Sequence, residues 1–205
     1  MEHPADEISS VVSLITTAVA PEIQQDGIQR YFTPDAGFRH PLCAVRPGPG
    51  SRERILGLYQ WYRVMSPKID LDVKSIVYDK PQGILILDVV QSFHIRLSPF
   101  KPAPSRLVVR LTLKEVDRLY YIAFQEDFYH PDDLMSLVVP PLAPLVRLAL
   151  GAVGAMSNMC ATVAHVLGIS DIYQKCSGRS ATDSAAENWE SDSGLYDTGP
   201  RRKGD

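Results

Sequence analysis

Ile69-Asp70-Leu71-Asp72-Val73-Lys74 alternates apolar and charged side chains at every step. A period of two is that of a half-buried β-strand, here with Ile69, Leu71 and Val73 turned to a core. Strand signals continue downstream. Asp79-Lys80-Pro81-Gln82-Gly83 reads as a turn. From Ile84 to Leu97 the register Leu85, Leu87, Val89, Phe93, Ile95, Leu97 predicts one long strand. At about 3.3 Å per residue it exceeds the usual length, and such strands normally bend or bulge. Gln91 interrupts the apolar register, and a buried amide there needs a hydrogen-bond partner. His94 falls on the opposite face with Ser92 and Arg96. After a loop with Pro99, Pro102 and Pro104, a strand places Leu107, Val109, Leu111 and Leu113 on one side. Glu115 to Arg118 turns the chain, and the last strand runs from Leu119 to about Tyr129.

Upstream of residue 69 the period is helical. Ile8, Val11, Val12, Ile15 and Val19 recur at helix spacing behind Pro4, which suits a first turn. Pro21 starts a second helix through Ile23, Ile28, Tyr31 and Phe32, which Thr33-Pro34-Asp35 ends. Arg46-Pro47-Gly48-Pro49-Gly50 is a loop. Ser51 then caps a third helix with Ile55, Leu58, Tyr59 and Tyr62 on one face, stopped at Ser66-Pro67. Three helices followed by a mostly antiparallel meander predict an α+β domain with its helices on one face of the sheet.

Bulk composition narrows the function classes. The chain has 205 residues, 45% hydrophobic and 22% charged, with net charge −3; one domain with appendages is expected. Lys and Arg are scattered, so no nucleic-acid partner is expected. Cys43, Cys160 and Cys176 have no CxxC spacing, which fits a reducing, cytoplasmic setting. Met1-Glu2-His3-Pro4 does not open a secretory signal.

The string Tyr31-Phe32-Thr33-Pro34-Asp35-Ala36-Gly37-Phe38-Arg39-His40-Pro41 resembles the helix-to-strand passage of NTF2-like proteins: an aromatic pair, an Asp, then an aromatic ahead of His-Pro. Tyr59-Gln60-Trp61-Tyr62-Arg63-Val64-Met65-Ser66-Pro67 and Gln125-Glu126-Asp127-Phe128-Tyr129 are more similar still to the fungal SigF-like branch. The resemblance covers residues 5–135. It implies a cone-shaped curved sheet closed by helices around one apolar pocket. Charge and polarity along the chain divide it into 1–133 as the NTF2-like domain, 134–169 as an apolar segment and 170–205 as a polar, disordered tail. The superfamily includes isomerases, dehydratases, polyketide cyclases and epoxide hydrolases beside non-catalytic binding and trafficking proteins, so the fold alone leaves the activity open.

Enzymes in such cones set a carboxylate or His against an apolar wall, which raises a carboxyl pKa and lowers that of a His; ketosteroid isomerase pairs an Asp base with a Tyr and a protonated Asp. The candidate catalytic residues here are Asp127 and His40. Asp127 shares a strand face with Tyr121, Ala123, Gln125 and Tyr129; the other face holds Tyr120, Ile122, Phe124 and Phe128, and the sequence leaves open which of the two lines the pocket. Asp127 also suits a purely structural role, ordering the loop to Pro131. His40 precedes Pro41 in extended chain; it is either a proton shuttle or a structural group bonded to a backbone carbonyl. The candidate pocket residues are Tyr31, Tyr59, Tyr62, Gln91 and Gln125, with the two helical tyrosines equally suited to the core. There is no GxSxG, no glycine-rich phosphate loop and no HExxH. Cys160 and His165 are too isolated for a metal site, so cofactor-free chemistry is expected.

Residues 134–169 carry one charged side chain, Arg147. Pro140, Pro141 and Pro144 precede a helix from Leu145 to Ile169, with Asn158, Thr162 and His165 on one stripe. Three roles fit: a membrane-surface or spanning anchor, a cover for the mouth of the cone, or a homodimer contact. From Ser177 the chain is too polar to pack, and Trp189 is either a short linear motif or a stray aromatic. Two functions follow. One is a cofactor-free isomerase, dehydratase or cyclase acting on an apolar polyketide- or terpenoid-like molecule. The other is a non-catalytic lipid- or protein-binding module held near a membrane; a ligand-free structural dimer is a third.

Overall fold

The structure is a computed structural model that describes residues 1–96 and 98–168. Expectations for Leu97, Ile169 and the tail with Trp189 lie outside the described residues. Two compact units are distinguished, Met1–Ala149 and a second beginning at Leu150.

The first unit is α+β. Helices α1 (Pro4–Thr17) and α2 (Pro21–Tyr31) each begin on a proline, whose missing N–H costs nothing in a first turn. Strands β1 (Phe32–His40) and β2 (Cys43–Val45) precede α3 (Ser51–Met65). Then follow β3 (Ile69–Asp79), β4 (Ile84–Phe93), β5 (Ser105–Val116) and β6 (Leu119–Tyr129). The chain continues through α4 (Pro131–Val138) and a 3-10 turn at Pro140–Leu142 into α5 (Ala143–Val166). The six strands form one sheet in the order β2-β1-β6-β5-β4-β3. β1 runs parallel to β6, and the other pairs are antiparallel.

Two strands lie beyond the four read from alternation, and the first of them is the strand that the family resemblance implies after Tyr31-Phe32. Thr33-Pro34-Asp35 does not merely end a helix; it belongs to β1, where Phe32 pairs with Ile122 and the next register point is Gly37 with Phe124. The intervening residues bulge out, which is how a strand accommodates Pro34. The helices are therefore not all grouped before the sheet. β4 is also shorter than its apolar register suggests. It ends at Phe93 without a bulge, and the chain leaves toward the Pro-rich loop. α3 begins after Gly50, which takes a left-handed conformation (φ 69°), and Ser51 makes no capping bond.

Bulges lie elsewhere. Lys74 is the extra residue of β3, so Leu71 and Val73 face inward before it and Ile76 and Tyr78 after it. Ala123 is the extra residue of β6: Leu113 pairs with Ile122, and Thr112 pairs with Phe124. An extra residue reverses the side-chain register. Ile122 is thus buried before the bulge, whereas Gln125 is buried after it.

One core joins helices and sheet. Ile8, Val11 and Ile15 of α1, Ile28 of α2 and Ile55 of α3 pack over Phe32, Phe38, Leu85, Leu87, Leu111 and Ile122. The other face of the sheet is solvated and laced with ion pairs, Asp88 with Arg106 and Arg110 with Glu126. The β5–β6 hairpin turns on Asp117 and Arg118, both at positive φ (52° and 63°), as a tight two-residue hairpin requires.

Candidate functional site

A cavity of about 230 Å³ opens where the inner face of the sheet runs past the end of the core. Its apolar wall includes Val12, Met65, Leu71, Val89, Phe93, Leu107, Val109, Leu137 and Val138. Its polar groups are few: Thr16, His40, Tyr59, Tyr62, Gln91, Gln125, Asp127 and Tyr129. Six of the seven residues singled out by sequence therefore border one space. Tyr31 does not. It sits at the end of α2 beside a separate surface cleft with Met1, Glu7, Arg30 and Tyr121, and the Arg30 guanidinium lies 5.5 Å over its ring. The helix ends there and the chain reverses face, so the pattern position carries Tyr31 away from the cavity.

The bulge at Ala123 settles which side of β6 lines the site: neither face does so along its whole length. Tyr120 and Ile122 face the core, and beyond the bulge Gln125, Asp127 and Tyr129 face the cavity. Phe128 is on the outer side and exposed.

Gln125 organises this strand. Its Oε1 accepts the Tyr59 hydroxyl at 3.0 Å, and its Nε2 donates to Asp127 Oδ1 at 3.0 Å. The ionised Asp127 carboxylate can only accept, so the amide nitrogen must face it and the amide oxygen is left for the Tyr59 hydroxyl, which fixes the orientation of the side chain. Asp127 Oδ2 has no hydrogen-bond partner among the described residues. Burial against the apolar wall raises the Asp127 carboxyl to about 7, and the Gln125 bond only partly offsets this. Asp127 is half-buried as a residue and lines the cavity.

Aromatic rings frame the carboxyl. Gln91 Nε2 donates to the Tyr129 hydroxyl, which gives the amide that interrupts β4 its partner. Tyr62 meets Cys43 Sγ at 3.4 Å. Tyr59 stands edge-on to Phe38 and to Tyr62, at 6.1 and 6.2 Å between centroids. Burial pushes the hydroxyl pKa of Tyr59, Tyr62 and Tyr129 upward, so all three stay protonated near neutrality.

His40 is at the end of β1, its ring edge-on to Tyr129 at 5.1 Å and stacked on Phe38 at 6.4 Å. Its Nδ1 accepts the Leu42 backbone N–H at 3.2 Å; it does not bond a carbonyl. Desolvation lowers its pKa to about 4, so the ring is neutral at pH 7. His94 lies outside the cavity, with Nε2 2.9 Å from Asp70 Oδ2. Sequence reasoning missed Tyr129 as a site residue, although it is two positions past Asp127 on the same strand. Leu137 and Val138 were not singled out individually, although a cover for the mouth of the cone is one of the three roles read for residues 134–169. Among the described residues no group of three or more His, Cys, Asp or Glu side chains is placed to hold a metal ion.

Comparisons place this geometry in a family. Solved structures with similar architecture include a protein of ketosteroid isomerase-like fold from Catenulispora acidiphila in complex with trimethylamine, at 16% identity over 64% of this chain and 91% of that one (TM-score 0.47). A SnoaL-like family protein from Agrobacterium tumefaciens aligns at 9% identity over 62% and 97% (TM-score 0.48). An NTF2-like protein of unknown function from Burkholderia pseudomallei aligns at 9% identity over 64% and 96% (TM-score 0.47). No curated protein matches the sequence. The model of the SigF NTF2-like domain matches residues 1–169, and the chain belongs to that family.

Proposed function

We propose that the cavity binds a small apolar molecule and transfers a proton on it without a cofactor, with Asp127 as the acid/base. One observation carries this reading: a desolvated carboxyl, with one oxygen held by Gln125 and the other unpartnered, faces an apolar space. A group that titrates near the working pH is the best compromise between being in the right form and having driving force for transfer. A buried acid kept only for structure would be expected to pair with a cation, and among the described residues Asp127 has none. Tyr59 acts through Gln125 to hold the carboxylate, while Gln91 and Tyr129 shape the wall beside it. At about 230 Å³ the space is smaller than the roughly 300–1,000 Å³ of sites for drug-sized ligands. That favours a monocyclic or short-chain polyketide- or terpenoid-like substrate over a polycyclic one. Isomerisation, dehydration and cyclisation each need only such a proton transfer. The test is Asp127→Asn in the full chain against a panel of small apolar ketones, alcohols and terpenoids. The expected result is retained binding with turnover lost; unchanged turnover refutes the assignment.

A second reading, membrane attachment, rests on α5. Every residue from Arg147 to Val163 is exposed, including Leu148, Leu150, Val153, Met156 and Met159. The 24 residues of α5 extend roughly 36 Å at 1.5 Å per residue, enough for a hydrocarbon core of about 30 Å. The hydroxyls of Ser157 and Thr162 bond back to Val153 and Asn158 carbonyls, which lowers the cost of placing them in lipid. Arg147 is paired with Asp132 at 2.8 Å. In this reading residues 134–169 give the domain both a cavity wall, through Leu137 and Val138, and a membrane-attached helix. The test is flotation of the full chain with phosphatidylcholine vesicles. Flotation that resists a carbonate wash is expected, and a chain that stays in the soluble fraction refutes attachment.

A further inference from the structure

The proton-transfer reading gives Asp127 a role but leaves His40 without one. His40 lines the same cavity, among three tyrosines that burial keeps protonated. β1 and β6 run parallel with Phe38 beside Gln125 and Arg39 beside Glu126; His40 and Asp127 are the residues that follow this register on the two strands. Both side chains line the cavity. One small molecule bound there would therefore have both groups in its wall.

The hydrogen bonds of His40 decide what it can do there. A backbone N–H can only donate, so the bond from Leu42 to Nδ1 requires Nδ1 to be the acceptor. In the neutral ring the proton must then be on Nε2. Nε2 has no hydrogen-bond partner among the described residues. A base would need an unprotonated nitrogen facing the substrate, and here that nitrogen is already occupied by Leu42. The edge-on contact with Tyr129 and the stack on Phe38 hold the ring in place.

We propose that His40 is a neutral hydrogen-bond donor locked through Nε2–H, and that with Asp127 it fits the cavity to an apolar carbonyl compound that can enolise. This rests on the proton-transfer reading. The substrate oxygen accepts from His40 Nε2–H, and the carbon next to the carbonyl lies against Asp127. Asp127 carboxylate takes the proton from that carbon. The C–H electron pair becomes the new C=C bond, and the carbonyl π pair moves onto oxygen, where the His40 bond stabilises the developing charge. Asp127, now protonated, returns the proton to the same carbon or, in a conjugated substrate, to a more distant one. No electrons are gained or lost overall, and no co-reactant is required.

Two measurements on the full chain test this. Long-range 1H–15N NMR of the histidine rings is expected to show Nε2 protonated and Nδ1 bare at pH 7. A ring protonated at Nδ1, or doubly protonated, overturns the donor role whatever the cavity does. The second measurement follows exchange of the α-hydrogens of cyclohexanone, cyclohex-2-enone and phenylacetone for deuterium in D2O. Wild type is expected to exceed the buffer rate with at least one of them. Asp127→Asn removes the base, and His40→Phe keeps a ring but removes the donor. Each should lower the rate by about 10²-fold or more, and His40→Gln, which restores an N–H, should recover part of it. If Asp127→Asn fails and His40→Phe does not, the donor role is wrong and the proton-transfer reading survives. If wild type accelerates exchange of none of the three ketones, the carbonyl class is wrong. If Asp127→Asn exchanges like wild type, the proton-transfer reading falls and this proposal with it.

Discussion

Gln125 and Asp127 lie two positions apart on β6, and the Gln125 Nε2 donates to Asp127 Oδ1 at 3.0 Å while its Oε1 accepts from Tyr59. One amide therefore links a helix hydroxyl to the candidate base. Gln125→Leu should leave the Tyr59 O–H without a partner in a buried place and remove the one bond that lowers the Asp127 pKa. Urea unfolding is expected to show a loss of about 1–3 kcal/mol. Tyr59→Phe, which spares the Asp127 bond, should cost about 1 kcal/mol. Equal stability of Gln125→Leu and wild type would show that the link is not formed.

The opposed shifts of Asp127 and His40 predict an unusual pH dependence. Asp127 is raised to about 7 in the fold from roughly 3.9 unfolded. Between those values the folded form holds the extra proton, so its contribution to stability is present at low pH and is lost as pH rises toward 7. His40 is lowered to about 4 from roughly 6.5 unfolded. There the unfolded chain holds the extra proton, so the contribution is present above about 6.5 and is lost as pH falls toward 4. Each slope is about 1.4 kcal/mol per pH unit at most, and they cancel over the shared window. Chemical denaturation from pH 4 to 6.5 should show stability rising with pH in Asp127→Asn and falling in His40→Gln, against these two groups' near-zero joint slope in wild type.

Gly37 of β1 is paired with Phe124 of β6. A Cβ added there would lie 2.3 Å from two ring carbons of Phe124 and 2.7 Å from Pro47. Phe124 is next to the bulge that turns Gln125 and Asp127 inward, so it has little freedom to move without disturbing the site. Gly37→Ala should destabilise the domain by about 1–3 kcal/mol in a thermal or urea melt, and should shift the NMR signals of Asp127 as well.

For α5, lysines at Leu150, Val153 and Met159 should abolish vesicle flotation. A charge at the centre of a bilayer costs about 2.5–3.5 kcal/mol on insertion scales. Melting of the first unit is expected to stay unchanged, because these side chains are exposed.

What the sequence made legible follows from periodicity. The inward registers of β4 and β5 read directly from Leu85-Leu87-Val89 and Leu107-Val109-Leu111-Leu113, and with them the place of Gln91 on the cavity side. Alternation fails wherever a residue is inserted, and nothing local in the sequence marks Ala123 or Lys74 as an insertion. That is why the two faces of β6 could not be told apart, and why Tyr129 went unassigned beside Asp127. β1 was hidden by Pro34 and Asp35, which are breakers in a helix but tolerated in a bulged strand. Tyr31 was displaced by a shorter distance still: the helix ends at that residue and the strand begins at the next. The tautomer of His40 depends on one backbone N–H two residues away, a geometry no spacing rule encodes.

Asp127 as a desolvated carboxyl facing the cavity is what both proposed roles require, and a carboxyl 13C NMR titration of the full chain measures that directly. A signal absent from Asp127→Asn and titrating with a midpoint near 7 is the predicted result. A midpoint near 4, the value of an ordinary solvated aspartate, would contradict it.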